Sequence, residues 1–495
     1  RFVFSARKMI KQTGILEKKA FEAVIALGVK RVIVQAIFTI SNIFLARLLF
    51  PADFGAFAIV TFVGSIFSVF ADIGLGPALI QKKDKIATHE LQTVFTFQFS
   101  LSFLIFLLIN LIASHAASFF GLGDRGTLLF HVFSFYFLFG PFKTTSGAIL
   151  ERNLEYQRLV IVELAEIFTA SASTVILAIL GFGVFSFVIG GICGHIVGAT
   201  FYFIFSPWPV RFRLSLKTLR SLSRFGLNVQ INGILGLFYG SLVLLYLGKQ
   251  VGAENLGFYQ FAASLSVLPL AFSEIVNRIA FPLGARVQAD KVYFKKIVER
   301  SLTIVSMTTL PLVFIGIAVV SSVVHFIYTD RWLKSLPAIY LGLVQIGFIS
   351  YTGIFGQLLL SLGQSRVMRN MGIVWAVLTW VLAPILIGKF NFIGMSLTAL
   401  LVSISGLWLI FRMRREIRFS WWPNFLPYFI SSLASGFLAF ILIGLLPRTI
   451  INLILIAGFA SILYLIFIFI ISGKQLRENF KFLISAFGIA NHKLK

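Results

Sequence analysis

The sequence predicts an all-α polytopic membrane protein of about fourteen transmembrane helices. Three observations carry this. The chain holds repeated apolar runs of bilayer length, its lysines and arginines crowd alternate loops, and one local motif returns 202 positions later.

Composition comes first. Hydrophobic residues make up 58% and charged residues 12%, with a mean hydropathy of +0.94. Soluble domains carry about 25% charge, so a water-soluble chain is excluded. In lipid only helices and closed barrels satisfy their own backbone. The runs here are about 20 residues long and do not alternate, which favours helices over a barrel. The single cysteine, Cys193, excludes an internal disulfide and falls in a predicted span. No cleavable signal peptide is visible, and the chain opens on Arg1 with no initiator Met, which leaves the true N-terminus open.

The predicted spans are 32–50, 54–79, 91–113, 128–150, 159–180, 183–206, 226–247, 256–282, 302–324, 337–361, 370–388, 391–411, 424–446 and 450–472. With the N-terminus placed inside, inner segments hold 34 of the 43 Lys and Arg and outer segments hold seven. Lys143 and Arg278 remain within spans. That asymmetry is the positive-inside pattern, so both termini are expected in the cytoplasm, in a cell membrane. It also explains the net charge of +25 as a device facing anionic lipid, not nucleic acid.

The motif lies in 45–81. Pro51 ends one helix because it lacks the N–H to continue it, and Asp53 is placed to cap the next. The sequence Asp53-Phe54-Gly55-Ala56-Phe57 aligns without a gap on Asn255-Leu256-Gly257-Phe258-Tyr259. We read an internal duplication. Six spans separate the copies, so both have the same orientation, about an axis along the membrane normal. This gives two pseudo-symmetric six-helix lobes plus two extra C-terminal helices. The expected domains are 1–225 (basic N-terminus, helices 1–6 and a linker), 226–415 (helices 7–12) and 416–495 (helices 13–14 and a basic tail). In the linker, 207–225, Arg213, Lys217, Arg220 and Arg224 fall on one helical face, away from Leu216, Leu219 and Leu222. It reads either as an amphipathic helix on the inner surface or as a solvated linker carrying topology charges. Gly190, Gly194 and Gly198 are spaced for close helix packing.

Several chemistries are absent. There is no GxxxxGK[ST], HExxH or paired CxxC, so no cofactor and no metal site is expected. The six histidines show no ligand spacing; His131 and His195 are read as hydrogen-bonded interior residues. The loops are too short for a catalytic domain, so the chain is not read as an enzyme.

An ionisable group at mid-bilayer costs about 2.5–3.5 kcal/mol on insertion scales, so the few present are candidates for function. They are Asp72, Lys143, Glu163, Glu166, Glu274 and Arg278, with Lys30 and Arg31 at the inner end of span one and Arg47 at its outer end. Glu274 and Arg278 are i, i+4 and can pair; alternatively Arg278 lines a cavity. Asp72 is open to pairing with Lys30 or Arg31, or to ion coupling. Lys143 either snorkels to the inner interface or lines the cavity, and Arg47 either snorkels outward or serves a gate. Glu163 and Glu166 are expected to pair with Arg152 and Arg158. A cation-lined cleft suits a lipid carrier with a pyrophosphate-linked sugar head, since guanidinium matches phosphate oxygens. An exporter of organic cations would show acidic and aromatic groups there.

Five stretches, 45–55, 72–84, 150–164, 251–262 and 281–288, in this order, resemble the polysaccharide-transporter (oligosaccharide, O-antigen flippase) family of the multidrug/oligosaccharidyl-lipid/polysaccharide exporter superfamily. The likeness covers most of 21–415. It implies two six-helix bundles in a MATE-like V that open alternately to either side. It implies translocation of undecaprenyl-pyrophosphate-linked sugar units for O-antigen or exopolysaccharide. Cations on helices one, two and eight line the cavity of related flippases, a role open here to Lys30, Arg31, Arg47 and Arg278. Span two carries Asp72 instead, which departs from that pattern. The expected partners are the lipid-linked oligosaccharide, membrane lipid, and a polymerase or chain-length regulator; the expected state is a monomer. Two competing readings are a Na⁺- or H⁺-coupled drug or metabolite antiporter of the same fold, with Asp72 and Glu274 as coupling carboxylates, and a polysaccharide polymerase.

Overall fold

A computed structural model describes residues 30–71, 74–82, 84–223, 236–238, 240–447 and 449–486, with side chains as far as 471 except that of Phe272. Every regular element among the described residues is helical. Among the described residues, eleven helices are long and apolar enough to cross a membrane. The chain divides into two compact units, 1–257 and 258–495.

Unit 1 begins with α1 (Lys30–Leu48), α2 (Pro51–Ala71) and the short α3 (Leu75–Gln81). Pro51 opens α2 at the first helical position, where its missing N–H costs nothing. Asp53 sits one turn further in than the cap expected of it: its Oδ2 accepts from the Phe50 N–H at 2.9 Å, reaching back to the preceding residue as in a capping box. The single span expected over 54–79 is broken before α3, where Gly74 adopts a left-handed φ of 70° that hydropathy cannot register. Next come α4 (Thr88–Phe119), α5 (Gly123–Ser134), α6 (Tyr136–Arg152), α7 (Tyr156–Ile179) and α8 (Phe185–Phe205). The span expected over 128–150 is therefore two helices meeting at Phe135. Residues 226–235 of the seventh expected span lie outside the described residues. The eighth, 256–282, is divided at 267–269 between α10 (Ser241–Ser266) and α11 (Leu270–Val287). These three expected spans are not among the eleven; the remaining eleven match them in order.

The linker is only partly helical. Residues 207–215 run without helix and 216–223 form α9. Pro207 and Pro209 forbid helix there. Trp208 instead buries itself against Leu75, Leu79, Val94 and Phe95, and its Nε1 donates to Ser146 Oγ at 3.1 Å. Gln92 Nε2 donates to the Pro209 carbonyl and the Arg213 N–H to Thr96 Oγ1, so the strap is tied along α4. Within α9, Leu222 is buried, Leu219 half-buried and Leu216 exposed like Lys217 and Arg220, so the expected apolar face is only partly covered; Arg213 lies outside the helix and Arg224 outside the described residues.

The glycine series of α8 packs against α7. A Cβ on Gly190 would overlap Thr174, one on Gly194 would press on Ala170 and the Glu166 carbonyl, and one on Gly198 would meet the Glu166 carboxylate. Close backbone approach replaces the hydrophobic drive that lipid does not supply.

The two copies of the corner also touch. Within α10, Gly252 leaves helical geometry at φ 77°, so a new helical segment starts at Ala253. Glycine thus breaks the chain here just before Ala253, the position that matches Pro51 at an offset of 202. A Cβ on Gly55 would overlap the Ala253 carbonyl oxygen, and one on Gly257 would overlap that of Pro51. Each partner pair is related by the same offset, so the contact is reciprocal.

Unit 2 continues with α11, α12 (Lys291–Val323), α13 (Leu336–Ser361), α14 (Ser365–Phe390), α15 (Phe392–Ser405), α16 (Trp408–Glu416), α17 (Trp422–Leu445) and α18 (Ile450–Ala486). Asp290 caps α12, accepting from the Val292 and Tyr293 N–H groups at 3.0 Å. Its core gathers Phe294, Val298, Tyr351, Phe355, Leu358 and Met413, with Phe355 stacked between Phe419 and Trp421. α17 and α18 pack on α12, where Tyr464 donates to the Met307 carbonyl at 2.5 Å.

Candidate functional site

The expected intramembrane charges fall in two places. In unit 1, Lys143 of α6 donates to Glu166 Oε1 at 2.5 Å, and its Nζ lies 3.1 Å from His195 Nδ1. His195 Nδ1 is itself 3.1 Å from Glu166 Oε1. Three helices thus supply one cation, one carboxylate and one imidazole. The bare Gly198 admits the carboxylate, and Tyr136 lies edge-on to the His195 ring at 4.6 Å. Three residues before Glu166, on the same face of α7, Glu163 pairs with Lys30 of α1.

These contacts correct the expected pairing of Glu163 and Glu166 with Arg152 and Arg158. Arg152 donates instead to the carbonyls of Leu79 and Asp84, near the C-terminal end of α3, where cations are favoured. Arg158 pairs with Glu155 three residues away. Helix periodicity had the information: 163 and 166 share a face, and that face points inward. His195 belongs to this charged group, a role its isolation in sequence concealed. His131 behaves as expected, with Nδ1 2.6 Å from Asn110 Oδ1. Arg31 is half-buried on α1 and Arg47 is exposed near its end. Asp72 lies outside the described residues.

In unit 2, Glu274, Asn277, Arg278, Phe281 and Pro282 of α11, with Gln357 of α13, line an open cleft of about 360 Å³. Positions 274, 277, 278 and 281 share one helix face. The structure brings Glu274 and Arg278 to the same cleft. Arg278 is exposed there and forms no ion pair among the described residues. Asn277 Oδ1 is buried with no hydrogen-bond partner. Sequence reasoning missed Asn277 and Gln357, neutral groups that hydropathy and charge counting pass over.

A further cavity of about 370 Å³ lies in unit 1 between α2, α4 and α6, with Ser65, Gln98 and Tyr136 on its wall. No cluster among the described residues has the make-up of a metal site.

Comparison with known proteins places this architecture. The structure resembles the lipid II flippase MurJ in an inward closed conformation, with a TM-score of 0.73 over 92% of this chain and 99% of that one at 16% identity. It also resembles an inward-facing MATE multidrug resistance transporter, with a TM-score of 0.58 over 79% and 98% at 15% identity. At these identities the likeness concerns the fold. Among curated relatives, a membrane protein of the cps region of Klebsiella pneumoniae is 24% identical over 60% of this chain and 62% of its own length. A lipopolysaccharide biosynthesis protein of Escherichia coli is 22% identical over 62% and 63%. A succinoglycan biosynthesis transport protein of Rhizobium meliloti is 21% identical over 68% and 68%. The match to the first two thus spans slightly under two thirds of their length. The family model described as polysaccharide biosynthesis protein matches residues 44–337, more than half of the chain. The chain is therefore a multi-pass membrane protein of the polysaccharide biosynthesis protein family, built on the fold shared by MurJ and MATE transporters.

Proposed function

We propose that this protein is a flippase that carries undecaprenyl-pyrophosphate-linked oligosaccharide units across the cytoplasmic membrane by alternating access, as a precursor step for O-antigen, capsule or exopolysaccharide. Both termini are cytoplasmic in this reading. The observation that carries it is Arg278: an exposed guanidinium in an open cleft of a helix bundle, with no acid paired to it among the described residues. An uncompensated cation in such a setting is costly unless an anion or water meets it. The pyrophosphate of a lipid carrier supplies that anion, and the fork of the guanidinium suits its oxygens. Asn277 and Gln357 offer neutral hydrogen bonds beside it. The polyprenyl tail needs no site of comparable polarity and stays with the lipid.

Lys30 and Lys143 differ in this scheme because carboxylates already hold them. They set the charge of the unit 1 interior, and substrate phosphate competes with Glu163 and Glu166 for them. Arg31, Arg47 and Asp72 retain the roles expected from sequence, cavity cation for the first two and coupling group for the third. A polymerase or chain-length regulator is the natural partner of such a step, and a monomer suffices for it.

The test replaces Arg278 by Ala and by Lys in cells whose surface polysaccharide depends on this protein, with the membrane level of each variant measured. Loss of polymer with Ala and partial retention with Lys supports the reading. Full export with Ala removes Arg278 from the transport path. The second reading, a cation-coupled antiporter, is favoured by Glu274 on the same cleft wall. Ethidium efflux that persists without lipid-linked sugar synthesis would select it.

A further inference from the structure

The unit 1 cavity has a chemistry unlike that of the Arg278 cleft. None of its described lining residues is charged, yet it is rich in oxygen: Thr61, Ser65 and Ser68 of α2, Gln98 and Ser102 of α4, and Thr144 of α6. Thr61, Ser65 and Ser68 recur at spacings of four and three, so they form a stripe along one face of α2.

Four of the hydroxyls have already spent their protons. Thr61 donates to the Ala58 carbonyl at 2.9 Å, Ser65 to Phe62 at 2.6 Å, Ser68 to Ser65 at 2.8 Å and Thr144 to Gly140 at 3.2 Å. What such a hydroxyl still offers is lone pairs. Gln98 is 3% exposed, and its Oε1 is buried with no hydrogen-bond partner. Pro141 lacks the N–H that would have reached the Phe137 carbonyl four residues back. The cavity therefore presents hydroxyl oxygens whose protons are spent beside the free donors of Gln98 Nε2, Ser102 and Tyr136, so acceptors outnumber donors on its wall. Phe133, Tyr136 and Phe137 supply apolar ring surface on another wall.

A complementary ligand donates several hydrogen bonds, carries no net charge and has apolar faces. A bare alkali ion would be under-coordinated in about 370 Å³. An organic cation would lose its hydration with no carboxylate among the described lining residues to compensate it. A pyranose meets all three conditions, with outward hydroxyls and C–H faces. The volume lies in the range of about 300–1,000 Å³ typical of small-molecule sites. We propose that the cavity between α2, α4 and α6 is a subsite for an uncharged sugar ring, recognised by hydrogen bonds to the Gln98 amide and by hydroxyl donation to the α2 stripe. This rests on the flippase reading above and adds to it the place where the sugar is read.

The experiment uses the full chain in nanodiscs with two probes, undecaprenyl pyrophosphate and the same lipid bearing one hexose, galactose or glucose. Binding is measured by native mass spectrometry. The wild type should prefer at least one hexose-bearing lipid, and Gln98→Leu with Ser65→Val should reduce that preference about tenfold, as expected when a polar site loses the groups that pair with substrate hydroxyls. Affinity for the bare lipid should stay within about twofold. Gly140 offers a second variant. It lines the cavity and a Cβ there meets nothing within 4 Å, so Gly140→Leu should fill the space and also remove the preference, with thermal unfolding compared against the wild type to check that the fold is kept. Arg278→Ala should weaken both lipids alike. Unchanged preference in both cavity variants, or a wild type that does not discriminate, overturns the sugar subsite while leaving lipid pyrophosphate binding intact. Failure of the wild type to bind either lipid overturns the flippase reading itself. Ethidium binding lost in the cavity variants would reassign the cavity to organic cations.

Discussion

The lysines of unit 1 and the arginine of unit 2 stand in opposite electrostatic situations. Lys30 and Lys143 each meet a carboxylate of α7, and His195 joins the second pair. Arg278 lines an open cleft and pairs with no acid among the described residues. The difference teaches that a charge inside a membrane bundle does not by itself announce a binding site. A cation held by a carboxylate has its cost covered within the protein, whereas one left open awaits something from outside.

The sharpest way to break this contrast is Arg278→Ala. It should reduce surface polysaccharide by more than tenfold, about 1.4 kcal/mol or more in the transport step, with little change in melting temperature. A variant that melts early would instead make Arg278 a structural residue like the lysines. Glu166→Ala should do the reverse. It strands Lys143 in the bundle and should lower stability by about 3 kcal/mol, near the lower end for breaking a buried pair because the pair is partly exposed. Thermal unfolding in detergent measures this. Removing both partners, Lys143→Met with Glu166→Leu, should recover most of that loss, since an apolar pair of similar volume needs no compensation. If the double variant melts well but no longer exports, the pair has a transport role beyond neutralisation. The smallest effect belongs to Lys30→Ala. Its pair is about a quarter to a third exposed, and the loss should be no more than about 1 kcal/mol, shrinking in high salt.

The order of the helices was legible because a bilayer imposes a length and a hydropathy that a window along the sequence can see. The break at Gly252 was legible too, since it lies among Lys249, Gln250, Glu254 and Asn255 in the loop expected between 247 and 256. The one at Gly74 was not, because it falls within the expected span 54–79 and an average over side chains is blind to a backbone turn. The candidate cations were legible as isolated charges, but their partners were not. Glu163 stands beside Arg158 in sequence and 133 residues from Lys30, yet Lys30 is its partner. Proximity along the chain favours Arg158, five residues away, whereas the inward face that Glu163 shares with Glu166 favours Lys30. The α2 hydroxyl stripe was visible in the spacing of Thr61, Ser65 and Ser68. Spacing alone does not single it out, because serine and threonine in a span usually bond their own helix, as these do. Only the cavity and the unmatched Gln98 oxygen give the stripe a meaning.

Gly55 and Gly257 press on carbonyls of each other's helices at matched positions. A side chain at either one acts as a wedge that lifts the helices apart, and once they are apart the second position has little left to disturb. Replacing both should therefore harm the protein scarcely more than replacing one. A drifting gene would experience the two codons, 202 apart, as a single constraint.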